Sequence, residues 1–105
     1  MFARFTELHI VGKKEEFLNT IRNQVLPILR KQPGFLEILP FVADNRPEKV
    51  VVISIWDSKA NAEKHESETY PRVLEILKAI ATPTTVGKYQ VETSLCAHFA
   101  ELLVA

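Results

Sequence analysis

The sequence is short of cysteine, glycine and net charge, and each shortage narrows what the chain can be. Its single cysteine, Cys96, has no partner for an intrachain disulfide and lies in an apolar run, so it reads as a buried free thiol and not as part of a secreted, cross-linked scaffold. Thirteen basic residues balance thirteen acidic ones. That balance gives no long-range field to attract nucleic acid or an anionic membrane, and no repulsion to keep two copies of the chain apart. A Gly-rich phosphate loop is missing, as are the GxSxG, HExxH and CxxC patterns. His9, His65 and His98 are scattered, so no metal site is expected. The first residues carry Arg4 and Glu7 and no long apolar core, which predicts neither a signal peptide nor a membrane anchor. The expected location is the cytoplasm, with no membrane and no nucleic-acid partner.

What the sequence does have is apolar content, 47% over 105 residues, enough for one domain over residues 1–105 with a real core. The densest β-forming stretch is Val50 to Trp56, closed by Asp57. Val50, Val52, Ser54 and Trp56 point to one side of such a strand, and Val51, Ile53 and Ile55 to the other. One side can be covered by the chain's own helices. The other needs a second layer, and no sequence is left to build one.

Around this strand, residues 2 to 11 read as a first strand that ends at Gly12. Lys13 to Lys31 carry Phe17, Ile21, Val25, Ile28 and Leu29 on one stripe, an amphipathic helix that Pro27 bends or restarts because it cannot donate to the carbonyl of Asn23. Pro33-Gly34 ends it. Phe35 to Val42 form a second strand, and Pro40 places that strand at a sheet edge or a bulge. After Trp56, Asp57 or Ser58 caps a polar helical piece over Lys59 to about Glu66. Thr69-Tyr70-Pro71 interrupts it, and Arg72 to Ile80 restart as an apolar helix. Thr82-Pro83-Thr84 is expected as a loop and Thr85 to Leu95 as the fourth strand, while Cys96 to Ala105 are ambiguous between strand extension and helix.

The order β-α-β-β-α-β predicts an α+β, ferredoxin-like sandwich whose second helix is broken. Its four-stranded sheet has helices on one face and an apolar open face, which a symmetric homodimer would cover.

Several residues could carry chemistry. His65 ends the polar helical piece and is either an ordinary helix histidine or, if that piece lids a cavity between helices and sheet, a base or hydrogen-bond partner. Tyr70 either anchors the bend before Pro71 or aims its hydroxyl into the same cavity. Trp56 is a wall of an aromatic pocket or a plug at the end of the core. Glu7 and His9 share one face of the first strand and are a solvated rim or a polar pair in an apolar surface.

The first strand ending in LHIVG, the QPGFL turn, the segment VVVISIWDSKANAEKH, the helix YPRVLEILKAI and the strand TTVGKYQVETS together resemble the antibiotic biosynthesis monooxygenase-like domains of the dimeric α/β-barrel superfamily. The resemblance covers nearly the whole chain. It implies a homodimer whose two sheets form a barrel, and a cofactor-independent monooxygenase that oxidises a phenolic or quinol-like aromatic molecule with dioxygen. His65 and Tyr70 would be catalytic, and Trp56, His9 and Phe5 would bind the substrate. A non-catalytic or stress-associated barrel that binds a small apolar ligand is the alternative. The haem-degrading branch of the superfamily uses an Asn, Trp and His set, from which this sequence departs. His65 stands at the helical Trp position, and Pro71-Arg72-Val73-Leu74 occupy the segment of the haem-ligating histidine.

Overall fold

The sheet is built outward from two central strands, β1 (Phe2–Ile10) and β3 (Lys49–Trp56), which pair antiparallel with Phe2 opposite Trp56 and His9 opposite Lys49. The computed structural model describes residues 1–95. β2 (Phe35–Val42) lies on the far side of β3 and β4 (Ala81–Gln90) on the far side of β1, giving the order β2-β3-β1-β4 with every neighbour antiparallel. This is the split βαβ arrangement that the element order predicts. Pro40 sits in the edge strand β2, where its missing donor costs no interior ladder bond.

α1 (Lys14–Thr20), a π-helical turn (Ile21–Val25) and α2 (Leu26–Arg30) form one continuous rod. The rod neither breaks nor restarts at Pro27. The turn before Pro27 widens, so that the backbone N–H of Leu26 donates to the carbonyl of Ile21, five residues back. A proline cannot complete the ordinary ladder, and its ring crowds the preceding turn; a wider turn relieves both problems. The widening keeps Ile21, Val25 and Leu29 buried toward the sheet.

α3 (Lys59–Glu68) starts at Ser58, whose hydroxyl accepts from the backbone N–H of Asn61 at 3.2 Å. Gly34 adopts φ +77°, a left-handed conformation, and its carbonyl accepts from the backbone N–H of Asp57 at 2.9 Å. A side chain at position 34 would collide with Asp57 and Asn61, whose side chains hydrogen-bond each other at 2.8 Å. The turn into β2 is thereby seated against the start of α3.

α4 (Tyr70–Leu77) follows a break at Thr69, inside the expected interruption, but Tyr70 and Pro71 already form its first turn, so the helix starts two residues before the expected Arg72. The buried Thr69 hydroxyl donates to Gln32 Oε1 at 2.9 Å, which pins the break to the end of α2. α4 ends at Leu77, three residues short of the predicted Ile80, because β4 begins early. The expected loop Thr82-Pro83-Thr84 belongs to β4, and the strand ends at Gln90 and not at Leu95. An edge strand tolerates Pro83 where the register slips: Glu7 faces Thr85 and Leu8 faces Pro83, leaving Thr84 as the extra residue. Thr84 compensates by donating its hydroxyl to the carbonyl of Glu7 at 3.2 Å. Thr93–Leu95 form a short 3-10 turn. The expectations for Cys96 to Ala105 fall outside the described residues.

The core lies between the rod, α3, α4 and one sheet face, with Phe17, Val25, Val50 and Trp56 fully enclosed. Burying each such side chain stabilises the fold by about 1.5–3 kcal/mol. The other sheet face carries Phe5, Val51, Ile53, Leu39, Phe41 and Tyr89; Phe41 is 51% exposed and Tyr89 59%. Tyr89 lies across Gly87, where a Cβ would meet its ring, and presents an edge-to-face contact to Phe5 at 6.5 Å. Among the described residues no helix is long and apolar enough to cross a membrane.

Candidate functional site

Alternation along β1 sends Phe2, Arg4, Thr6, Leu8 and Ile10 toward the helices. β3 sends Val52 and Ser54 to the same face, and β2 contributes Ile38, which is opposite Ser54. Ile21, Val25 and Leu29 from the rod approach from one side, and Val73, Leu74 and Leu77 of α4 from the other. Between them is a cavity of about 40 Å³ with an open mouth. Its walls are mainly aliphatic. Its polar atoms come from Arg4, Thr6, Ser54, His65 and Tyr70.

α3 is polar on nearly all sides, and Ala62 and His65 are its only buried residues. His65, 4% exposed, is turned under the helix by the indole of Trp56, against which it stacks at 4.7 Å and 25°. Trp56 is itself fixed, with Nε1 donating to Ser54 Oγ at 3.0 Å and its ring edge-on to Phe35 at 5.5 Å. Burial holds the His65 imidazole down to about pKa 4; the Arg4 charge adds to this and Glu66 opposes it. His65 is therefore neutral at pH 7, and its Nδ1 is buried with no hydrogen-bond partner among the described residues.

Tyr70, the first residue of α4, is placed by the break at Thr69. Its ring is 5.9 Å from that of His65, and its hydroxyl is also buried without a partner. The guanidinium of Arg4 lies over the Tyr70 ring with Cζ 4.2 Å from the centroid. Arg4 is 3% exposed, and its Nε and Nη2 have no acceptor among the described residues. Buried polar atoms are nearly always paired, so four orphaned positions on three neighbouring side chains mark a place prepared for something other than core packing.

Of the residues singled out from sequence, the structure brings His65 and Tyr70 together at the cavity. Trp56 does not line it: the residue is 0% exposed, the plug of the two alternatives, and reaches the cavity only through the histidine it orients. Phe5 and His9 are on the opposite sheet face, because odd-numbered residues of β1 point away from the helices. Phe5 packs on Tyr89 there, and His9 is exposed beside Glu7, Arg46 and Lys49, with Lys49 paired to Glu7 at 3.2 Å. Neither can touch a molecule held between His65 and Tyr70.

Sequence reasoning missed Arg4, Thr6 and Ser54. The signal was present for Arg4, which is in phase with Phe2, Leu8 and Ile10 on the core face of β1. Both faces of the strand mix apolar and polar residues, so alternation by itself did not single Arg4 out.

The fold has close counterparts among solved structures. SnoaB, a cofactor-independent oxygenase from Streptomyces nogalater, superposes with a TM-score of 0.76 at 16% identity, over 90% of this chain and 96% of that one. HapK from Hahella chejuensis gives 0.71 at 13% identity, over 90% and 95%. At these identities the likeness is one of fold. No match was found among curated proteins. The family model for antibiotic biosynthesis monooxygenases matches residues 9–74, from the end of β1 into α4 and through His65 and Tyr70. With well over half of the chain matched and the same fold throughout, the protein belongs to the antibiotic biosynthesis monooxygenase family.

Proposed function

We propose that the chain is a small cofactor-independent monooxygenase acting on a phenolic or quinol-like aromatic compound, and that it works as a homodimer joined through the open sheet face. The observation that carries this reading is the pair of unpartnered polar atoms, His65 Nδ1 and Tyr70 Oη, in an otherwise aliphatic cavity. Family membership and the resemblance in fold to a cofactor-independent oxygenase support it.

The chemistry asked of the protein is modest. A phenol in its keto form presents a CH2 group, and dioxygen converts CH2 to C=O with release of one water, so no outside reductant is consumed. His65 and Tyr70 hold the substrate oxygen and pass its proton, and the aliphatic walls keep water from the reactive anion. A neutral imidazole suits the holding of the substrate oxygen, since it keeps one ring nitrogen as donor and the other as acceptor, while a pKa of about 4 makes it a weak base at pH 7. The apolar outer face, with Phe41, Leu39 and Tyr89 uncovered, supports self-association.

Oxygen uptake and absorbance change over a panel of quinols and polycyclic phenols test the activity. Turnover should fall at least tenfold in His65→Ala and measurably in Tyr70→Phe. Equal turnover in the parent and both variants would remove the site. The alternative is a non-catalytic barrel that binds a small apolar ligand, and the size of the cavity bears on both readings alike. The cavity, at about 40 Å³, admits a ring only if its mouth widens. Stoichiometric binding with no oxygen uptake by any member of the panel would establish the alternative.

A further inference from the structure

Arg4 belongs to no ion pair in the described structure. The cations that pair with acids there are Arg46, Lys49, Lys59, Lys78 and Lys88. Glu66, the acid whose charge reaches His65, is itself paired to Lys88 at 3.0 Å. A guanidinium does not give up its proton in a protein, so Arg4 is a cation buried to 3% exposure on the wall of the cavity. An uncompensated buried charge is costly, and a protein retains one where a partner arrives from outside.

The identity of the orphaned atoms narrows the partner. The guanidinium meets the Tyr70 ring through the ring's π-face, with Cζ 4.2 Å from the centroid, a contact that offers no oxygen acceptor to Nε or Nη2. The two nitrogens without acceptors, Nε and Nη2, share one edge of the group and direct their N–H bonds in parallel. That edge fits two oxygens side by side. A single neutral carbonyl or an ether would leave half of the fork unmet.

We infer that Arg4 is the counter-ion of the ligand, and that the cavity selects a flat apolar molecule carrying an anion with two neighbouring oxygens, either a carboxylate or an ionised hydroxyl beside a carbonyl. The inference rests on the proposed site between His65 and Tyr70 and adds the charge state of what enters it. Arg4 precedes the segment matched to the family, so family membership alone does not assign it this role. The aliphatic wall of Ile21, Val25, Leu29, Ile38 and Leu77 receives the apolar body. Among the described residues, the other titratable groups lining the cavity are His65 and Tyr70, and Glu66, whose charge reaches His65, is already paired to Lys88, which leaves the ligand's charge to meet Arg4.

Two pairs of compounds test this with the full chain. 2-Hydroxy-1,4-naphthoquinone, ionised at neutral pH, is compared with 2-methoxy-1,4-naphthoquinone, and 2-naphthoate with 2-naphthamide. Binding is followed by calorimetry and by fluorescence of Trp56, the chain's one tryptophan, which stacks on His65. At least one anion should bind tenfold or more tightly than its neutral counterpart, and which pair does so distinguishes the two oxygen arrangements. Arg4→Met should abolish the preference, and Arg4→Lys, which keeps the charge without the fork, should retain part of it. The visible band of the bound hydroxyquinone anion should persist to lower pH in the parent than in Arg4→Lys, a readout that remains if the methionine variant fails to fold. Equal binding within both pairs, no binding of either anion, or an unchanged preference in the folded variants would overturn the inference. Anion preference without oxygen uptake would uphold Arg4 as counter-ion while removing the monooxygenase reading. Oxygen uptake without anion preference would do the reverse.

Discussion

The imidazole of His65 and the indole of Trp56 lie 4.7 Å apart and 25° from parallel, so the end of the central strand sets the plane of the one buried polar side chain on α3. Trp56 is in turn held by Ser54 and Phe35, which makes the histidine the last member of a stack fixed from the sheet outward. Trp56→Ala should therefore cost about 3–5 kcal/mol in denaturant unfolding, the usual loss for emptying a fully buried aromatic site. Trp56→Phe should cost clearly less, because the stack survives while the hydrogen bond to Ser54 is lost.

Acid should weaken the fold through His65. Its folded-state pKa, about 4, is below the ordinary 6.5, so between those values the unfolded chain binds the extra proton. The stabilisation is present in full above pH 6.5 and lost as pH falls toward 4. Its size is on the order of 3 kcal/mol, since each tenfold loss of proton affinity on folding corresponds to about 1.4 kcal/mol. Urea titrations of the parent and His65→Gln between about pH 7.5 and 4 should show the parent falling more steeply; parallel slopes would contradict the assignment.

Gly34 combines a left-handed backbone with contact against Asp57 and Asn61. Gly34→Ala meets both obstacles, the conformational one alone being worth about 1–2 kcal/mol. The expected result is a loss of about 2 kcal/mol or more in thermal or chemical unfolding, with Asp57→Ala in the same background recovering part of it.

Phe41 stands on the uncovered sheet face at 51% exposure. A charge there is harmless to a free chain and incompatible with a dry interface between copies. Phe41→Glu should shift the chain from dimer to monomer in sedimentation velocity while leaving its circular dichroism unchanged. A parent that sediments as a monomer at high concentration would remove the dimer.

The patterns that repeat along the chain were readable without coordinates. β-Branched and aromatic runs bounded by turn residues marked β1, β2 and β3 to within a residue or so, the Thr69-Tyr70-Pro71 segment located the break between α3 and α4, and Pro40 pointed to an edge strand or a bulge. These signals are local, set by backbone sterics and side-chain alternation within a few residues. β4 was misjudged because Pro83 normally argues against a strand, and only its edge position beside the slipped register of β1 makes it acceptable. At Pro27, where a bend or a restart was expected, the rod continues through a widened turn.

Sequence alone determined the element order, the ferredoxin-like class and the nomination of His65 and Tyr70. Tertiary structure decided which side chains line the candidate cavity. It removed Phe5 and His9, whose odd positions on β1 turn them to the outer face, and made Trp56 a support for His65. It also brought in Arg4, distant in sequence from both nominated residues, whose guanidinium carbon lies 4.2 Å from the centroid of the Tyr70 ring. The physical reason is that a strand's alternation states which residues share a face but not which face meets the helices. That choice is made only when the sheet packs, and with it the charge of the site.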